Sequence, residues 1–211
     1  MLSAETLAFL TDLKANNRRD WFEANRGRHE TALAAPARLF AAELADRLTA
    51  ASGAPVTARI YRLHRDLRFA RDKTPYNAHL HIGFSGAGPG AWLVGLEPGK
   101  LVLGYGVMGF EGATLESWRA AVAGPEGAAL EGILERLGAR GLRLDPAELK
   151  RVPAPYPTDH PRAALLRRKS LVVWDDDQPM DSAFGPAAPA RIATALQEFA
   201  PLHTWLRTAL A

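Results

Sequence analysis

The chain of 211 residues contains no cysteine. That excludes disulfides, thiolate metal sites and thiol nucleophiles. Apolar runs long enough for a membrane are also missing. The uncharged stretch 84–96 is rich in Gly and Pro and far short of the ~20 apolar residues a spanning helix needs. The N-terminus, MLSAETLAFLTDLK, carries Glu5 early and lacks the basic-then-apolar pattern of a secretory leader. These absences predict a cytoplasmic protein with no membrane partner. No Lys/Arg run exceeds the three residues Arg167, Arg168 and Lys169. With a net charge of only +3, this argues against nucleic acid as a partner.

What is present is an unusual concentration of guanidinium. Residues 62–76 read RLHRDLRFARDKTPY. Arg62, Arg65, Arg68, Arg71 and Lys73 face only Asp66 and Asp72, so this stretch alone carries the net +3 and the rest of the chain balances to zero. Such a density makes either an anion site or a salt-bridge knot.

The pattern around this stretch predicts an α+β fold. An antiparallel β meander is packed against N-terminal and C-terminal helices, in one domain over 1–211. Its parts are a helical region 1–52, a sheet 56–108 and a mixed helical region 114–211. A hydrophobic fraction of 47% supplies enough side chains for a sizeable core. Ser3 caps a first helix bearing Leu7, Leu10 and Leu13, which Asn16 and Asn17 end. Asp20 caps a second, with Trp21 and Phe22 packing inward. Pro36 suits the first turn of a third, whose apolar face holds Leu39, Phe40, Leu44 and Leu48. Residues 77–85 alternate as a strand, with Leu80, Ile82 and Phe84 on one side and His79, His81 and Gly83 on the other. Residues 91–97 and 100–107 are two further strands joined at Pro98–Gly99. Thr114 caps a helix to Ala123, and Pro125 starts another reaching Leu137. Residues 171–174 form a short strand that Asp175, Asp176 and Asp177 end. Residues 190–210 form a closing helix carrying Ile192, Leu196, Phe199 and Leu206.

The arginine segment fits a strand, or an extended continuation of one, better than a helix. On a strand Tyr61, Leu63, Leu67 and Phe69 share one face, while Arg62, His64, Asp66 and Arg68 share the other. Arg65 then falls on the apolar face, where an unpaired guanidinium would cost several kcal/mol. Three uses of the segment follow. It forms a pocket for a phosphate- or carboxylate-bearing small molecule, built from Arg62, Arg65, Arg68 and Lys73. In that pocket Tyr76 acts as a hydrogen-bond donor, Asp66 orients an arginine and His79 stands nearby. Alternatively, an enzyme uses Asp66 or His79 as acid/base in the same pocket. In the third reading the charges cancel internally, Arg65 or Arg68 with Asp66 and Lys73 with Asp72, and the segment is structural.

The order R-x-x-R-D-x-R-F followed by D-K-T-P-Y resembles the signature of the bacterial family of uncharacterised proteins called domain of unknown function 2461. Arg62, Arg65, Asp66, Arg68, Phe69, Asp72, Lys73, Pro75 and Tyr76 fit its central motif, with His79 shortly after. Residues 13–22 look like the family's opening. Gly104-Tyr105-Gly106 with Trp118-Arg119 resembles a later block, as does the run from Leu149 to Ser170. The chain departs from the pattern at His29, where the family tends to have Tyr, and at Ala154-Pro155, which replaces a basic residue and Gly. The resemblance implies no activity, and it leaves the cofactor and the oligomeric state unknown.

Other features are weaker. His79 and His81 point the same way on a strand and would hold a metal only with a third ligand, for which His64 or Asp66 is the nearest candidate. Two exposed histidines without an ion are the ordinary case, so no metal is expected. Residues 104–109, GYGVMG, match a dinucleotide fingerprint by letter, but the next helix starts too late. The acidic run 175–177 reads as a turn. Asp159 and His160 have no poised serine beside them.

Overall fold

The computed structural model describes residues 1–68 and 70–210. Helices α1 (Ala4–Ala15), α2 (Arg19–Ala24), α3 (Arg26–Arg28) and α4 (Ala35–Ser52) open the chain, with a π-helical turn, His29–Ala34, between the last two. Strands β1 (Thr57–Ile60), β2 (Leu80–Ser85), β3 (Ala91–Glu97) and β4 (Lys100–Val107) follow. Then come α5 (Gly112–Ala123), α6 (Glu126–Ala139), β5 (Arg143–Leu144), α7 (Ala163–Leu166) and β6 (Leu171–Gln178). The chain closes with α8 (Ala188–Leu196) and α9 (Ala200–Ala209). The fold is α+β. Its sheet has the order β1-β2-β3-β4-β6-β5, with every neighbouring pair antiparallel.

Alternation decides which face of the sheet is buried. Leu80, Ile82 and Phe84 of β2, Val94 and Leu96 of β3, and Leu101, Leu103 and Tyr105 of β4 are all buried. Helices α1, α4, α8 and α9 lie against the sheet, and the buried apolar residues form one cluster running from Leu2 to Leu206. On the other face His81, Leu93, Val102 and Trp174 are only half-buried. The sheet therefore has one packed side and one partly open side.

The N-terminal helices are locked by a backbone vacancy. Pro36 has no N–H to offer Ala32, four residues before it. The fully buried Thr6 hydroxyl donates to that Ala32 carbonyl at 2.7 Å, and the Ser3 amide in turn donates to the Thr6 oxygen at 3.1 Å. One side chain thus ties α1 to the π-helical turn that leads into α4.

Several expectations need correction. Arg18, not Asp20, occupies the cap of α2, and Glu111, not Thr114, that of α5. Leu39 is 60% exposed and leaves the apolar face to its neighbours Phe40 and Leu44. The closing helix is two helices, because Pro201 cannot continue the hydrogen-bond ladder and a 3-10 turn, Gln197–Phe199, precedes it. The acidic run does not end its strand. Strand β6 continues to Gln178, where Asp176 accepts from both Lys100 and Arg143. Two glycines of the GYGVMG run, Gly104 and Gly106, serve packing, and a Cβ at Gly104 would stand 2.6 Å from the Trp174 ring. Gly106 sits in β4 at φ 152°, and any side chain there would overlap the Leu171 carbonyl of β6.

Candidate functional site

The predicted strand through the arginine segment stops at Ile60. Strand β1 pairs with β2 from Thr57 opposite Ser85 to Ile60 opposite Ile82, and the Tyr61 amide makes one more bond to the His81 carbonyl. Strand β2 begins only at Leu80, so beyond this point the chain has no strand to pair with. It folds back on itself instead. The Arg65 amide donates to Pro75 O at 2.9 Å, the Asn77 amide donates to Leu63 O at 2.6 Å, and His64 bridges Tyr76. The result is a closed loop over 61–79. Phe69, expected on the apolar face, lies outside the described residues.

Inside this loop the charges sort into pairs and remainders. The Arg65 guanidinium, 25% exposed, donates to Asp72 at 2.6 Å, to the Thr74 carbonyl at 3.2 Å and to the Thr74 hydroxyl. Asp72 also accepts from the Thr74 amide and hydroxyl at 2.9 Å each. The amide, with Arg65 and the hydroxyl adding to it, holds the Asp72 carboxyl down at about 2. Asp66 grips Arg68 through both carboxylate oxygens, the shortest contact being 2.6 Å, and that pairing pushes its pKa below the usual carboxylate value. Lys73 donates to the Leu67 carbonyl at 3.0 Å rather than to Asp72. Arg59 and Arg62 have no carboxylate within ion-pair distance among the described residues. The Arg59 guanidinium lies over the Tyr61 ring at 5.3 Å.

A cleft of about 760 Å³ lies between the loop and the exposed edge of β1 and β2. Of the residues expected to bind a ligand, Arg62, Arg65, Asp66 and His79 line it. Arg68 lines a shallower hollow beside Arg62 and Arg19. Lys73 is not brought to the cleft. Tyr76 is 4% exposed, with its ring stacked on Phe22 at 4.3 Å, and serves the core. Arg59, His64, Asn77 and His81 complete the cleft walls. Arg59 lies just before the segment that the charge pattern singled out, so only knowing where β1 ends would have drawn attention to it.

The sheet brings the two histidines together. His79 and His81 stack with ring centroids 3.7 Å apart and planes 13° from parallel. Burial, with the neighbouring His81 ring adding to it, lowers the pKa of His79. The third group beside them is neither His64 nor Asp66. The His64 ring packs edge-on against Tyr76 and Phe22, and Asp66 is held by Arg68. The third group is Glu97 of β3, whose Oε1 lies 3.3 Å from His81 Nε2. One nitrogen from each imidazole and one Glu97 oxygen all fall within 4.8 Å of one another, the geometry of a candidate metal site. The register that pairs Leu80 with Leu96 sets residue 97 across from residue 79. Glu97 was overlooked because the sequence shows two adjacent strands but not their register.

Residues 5–205 match the conserved hypothetical protein family DUF2461. The chain belongs to this family. Its membership covers the helical opening, the whole sheet and most of the closing helices, so the cleft and the histidine cluster both lie in the DUF2461 region. No curated protein matches the chain. No helix among the described residues is long and apolar enough to cross a membrane.

Proposed function

We propose that this DUF2461 protein binds a small anionic ligand, bearing phosphate or carboxylate, in the cleft between β1 and the 61–79 loop. The observation that carries the proposal is the division of labour among the arginines. Arg65 and Arg68 are consumed by Asp72 and Asp66, whereas Arg59 and Arg62 line the cleft without a carboxylate partner among the described residues. A guanidinium presents donors in a planar fork that matches a carboxylate or phosphate. The side chains of Asn77 and His64 add hydrogen-bonding groups to the same walls. The volume falls within the range of small-molecule sites.

The paired arginines have the structural role. Arg65 with Asp72 and Thr74 braces the loop from below, and the loop then holds Arg62 in place. Asp66 is a poor general base, because two contacts to Arg68 favour its ionised form and lower its proton affinity.

The test is isothermal titration of the full chain with inorganic phosphate and with citrate at low ionic strength. Saturable binding is expected, weakening as salt is added. The double variant Arg59→Ala/Arg62→Ala should bind at least ~10-fold more weakly, since each charge-assisted contact is worth about 1.5–3 kcal/mol. Its thermal melt should match the parent. Absence of saturable binding to either anion, or equal affinity in the double variant, overturns the proposal.

A further inference from the structure

We infer that His79, His81 and Glu97 form a zinc site on the open face of the sheet. The inference stands on the geometry of these three side chains and is independent of the anion reading. Two strand positions with the same facing, one residue apart, deliver the imidazoles. The β2–β3 register delivers the carboxylate from the adjacent strand.

The spacing suits the ion. Zinc takes His nitrogen and carboxylate oxygen at about 2.0–2.2 Å in a tetrahedral arrangement, which places neighbouring ligand atoms roughly 3.3–3.6 Å apart. His81 Nε2 and Glu97 Oε1 already stand 3.3 Å apart. The His79 nitrogen lies within 4.8 Å of both, so bringing in the third ligand asks for a reorientation of the His79 ring. Two imidazoles with one carboxylate favour zinc over magnesium or calcium, which prefer all-oxygen sets.

The surroundings leave this trio free for a ligand. Glu97 has no Lys or Arg partner among the described residues, because the nearby Lys100 and Arg143 both go to Asp176. Among the described residues the side-chain hydrogen bond of Glu97 is to His81. The backbone also makes room. Residue 95, directly opposite His81 on β3, is glycine, and a Cβ there would stand 3.2 Å from His81 Cδ2 and 3.3 Å from Nε2. A larger residue would press the ring away from Glu97. The absence of a side chain at Gly95 lets the imidazole lie across β3 toward the carboxylate.

Three protein ligands leave a fourth position for water or a bound molecule. Both imidazoles line the arginine cleft, so a molecule held there shares a wall with the ion.

The experiment is titration of the tag-free full chain, stripped with a chelator, with zinc chloride. One equivalent should bind. Replacing a ligand should weaken binding by at least ~10-fold, the loss that even outer partners of metal ligands produce. The variants are Glu97→Gln, which keeps the side-chain size, and His81→Ala. If His81→Ala fails to fold by circular dichroism, Glu97→Gln alone decides. Cobalt(II) in place of zinc should give the intense visible absorption of a four-coordinate site, lost in Glu97→Gln. The inference is overturned if no stoichiometric zinc binds, or if Glu97→Gln binds as tightly as the parent. It is equally overturned if His160→Ala, remote in sequence and outside the trio, weakens binding as much as Glu97→Gln.

Discussion

The hydroxyl of Tyr105 lies 2.7 Å from Nδ1 of His203, joining the fourth strand to the closing helix inside the core. Tyr105 is fully buried, and burial raises its pKa far above the ordinary value, so it keeps its proton and shares one hydrogen bond with the ring nitrogen. The His203 ring also packs against Trp92 at 4.8 Å, and its Nε2 has no hydrogen-bond partner among the described residues. Burial, and secondarily the charge of Arg207, lowers the pKa of His203.

A depressed histidine makes folding depend on pH with a definite sign. Below about 6.5 the unfolded chain takes up a proton that the folded one resists. The stability associated with neutral His203 is complete above that value and is lost as pH falls through the lower folded pKa. Urea midpoints measured from pH 7 to pH 5 should fall, and His203→Phe should flatten part of the fall. Burial lowers His29 in the same direction, so it adds to the fall. An unchanged slope in His203→Phe would contradict this account.

The Asp72 carboxyl should titrate near 2, against 3.8 for the free group, in a carbon-detected NMR titration. Its contribution is present above 3.8 and is lost as pH drops through about 2. In Asp72→Asn the Arg65 guanidinium loses its carboxylate and the 61–79 loop loosens. Amide exchange at Arg65 and Asn77, whose hydrogens bond to Pro75 and Leu63, should accelerate, while amides of β3 and β4 keep their protection.

Thr6→Val keeps the shape of the side chain and removes its hydroxyl. The Ala32 carbonyl then loses a buried donor, a loss of about 1–3 kcal/mol. At this chain length that lowers the melting temperature by roughly 2–4 °C per kcal/mol. Calorimetry of the variant checks it, and a shift below 1 °C would rule out the tie between α1 and the π-helical turn before α4.

Much of the architecture could be read from residue order. Alternation in 77–85 and the Pro98–Gly99 turn predicted the central meander, because side-chain period and turn chemistry are local. The short strands β1 and β5 were harder, since strands of four and two residues carry too little alternation to stand out. The arginine segment was misjudged for a different reason. Its alternation suits a strand, yet a strand needs a partner, and that depends on where β2 begins. The cleft was only partly visible: charge density pointed to Arg62 and Arg65, while Arg59 and Asn77 arrive through tertiary pairing, as Glu97 does beside the two histidines. Tyr76 looked like a ligand donor because its aromatic neighbour Phe22 is 54 positions away in the chain.

The sheet begins with a strand of four residues and ends with one of two. An unpaired ladder is where a second chain adds in aggregation, and brevity with charge is how natural sheets blunt that hazard. Here Arg59 sits on the first border strand and Arg143 on the last. The half-covered face can therefore stay open to solutes while the margins offer little template for runaway strand addition.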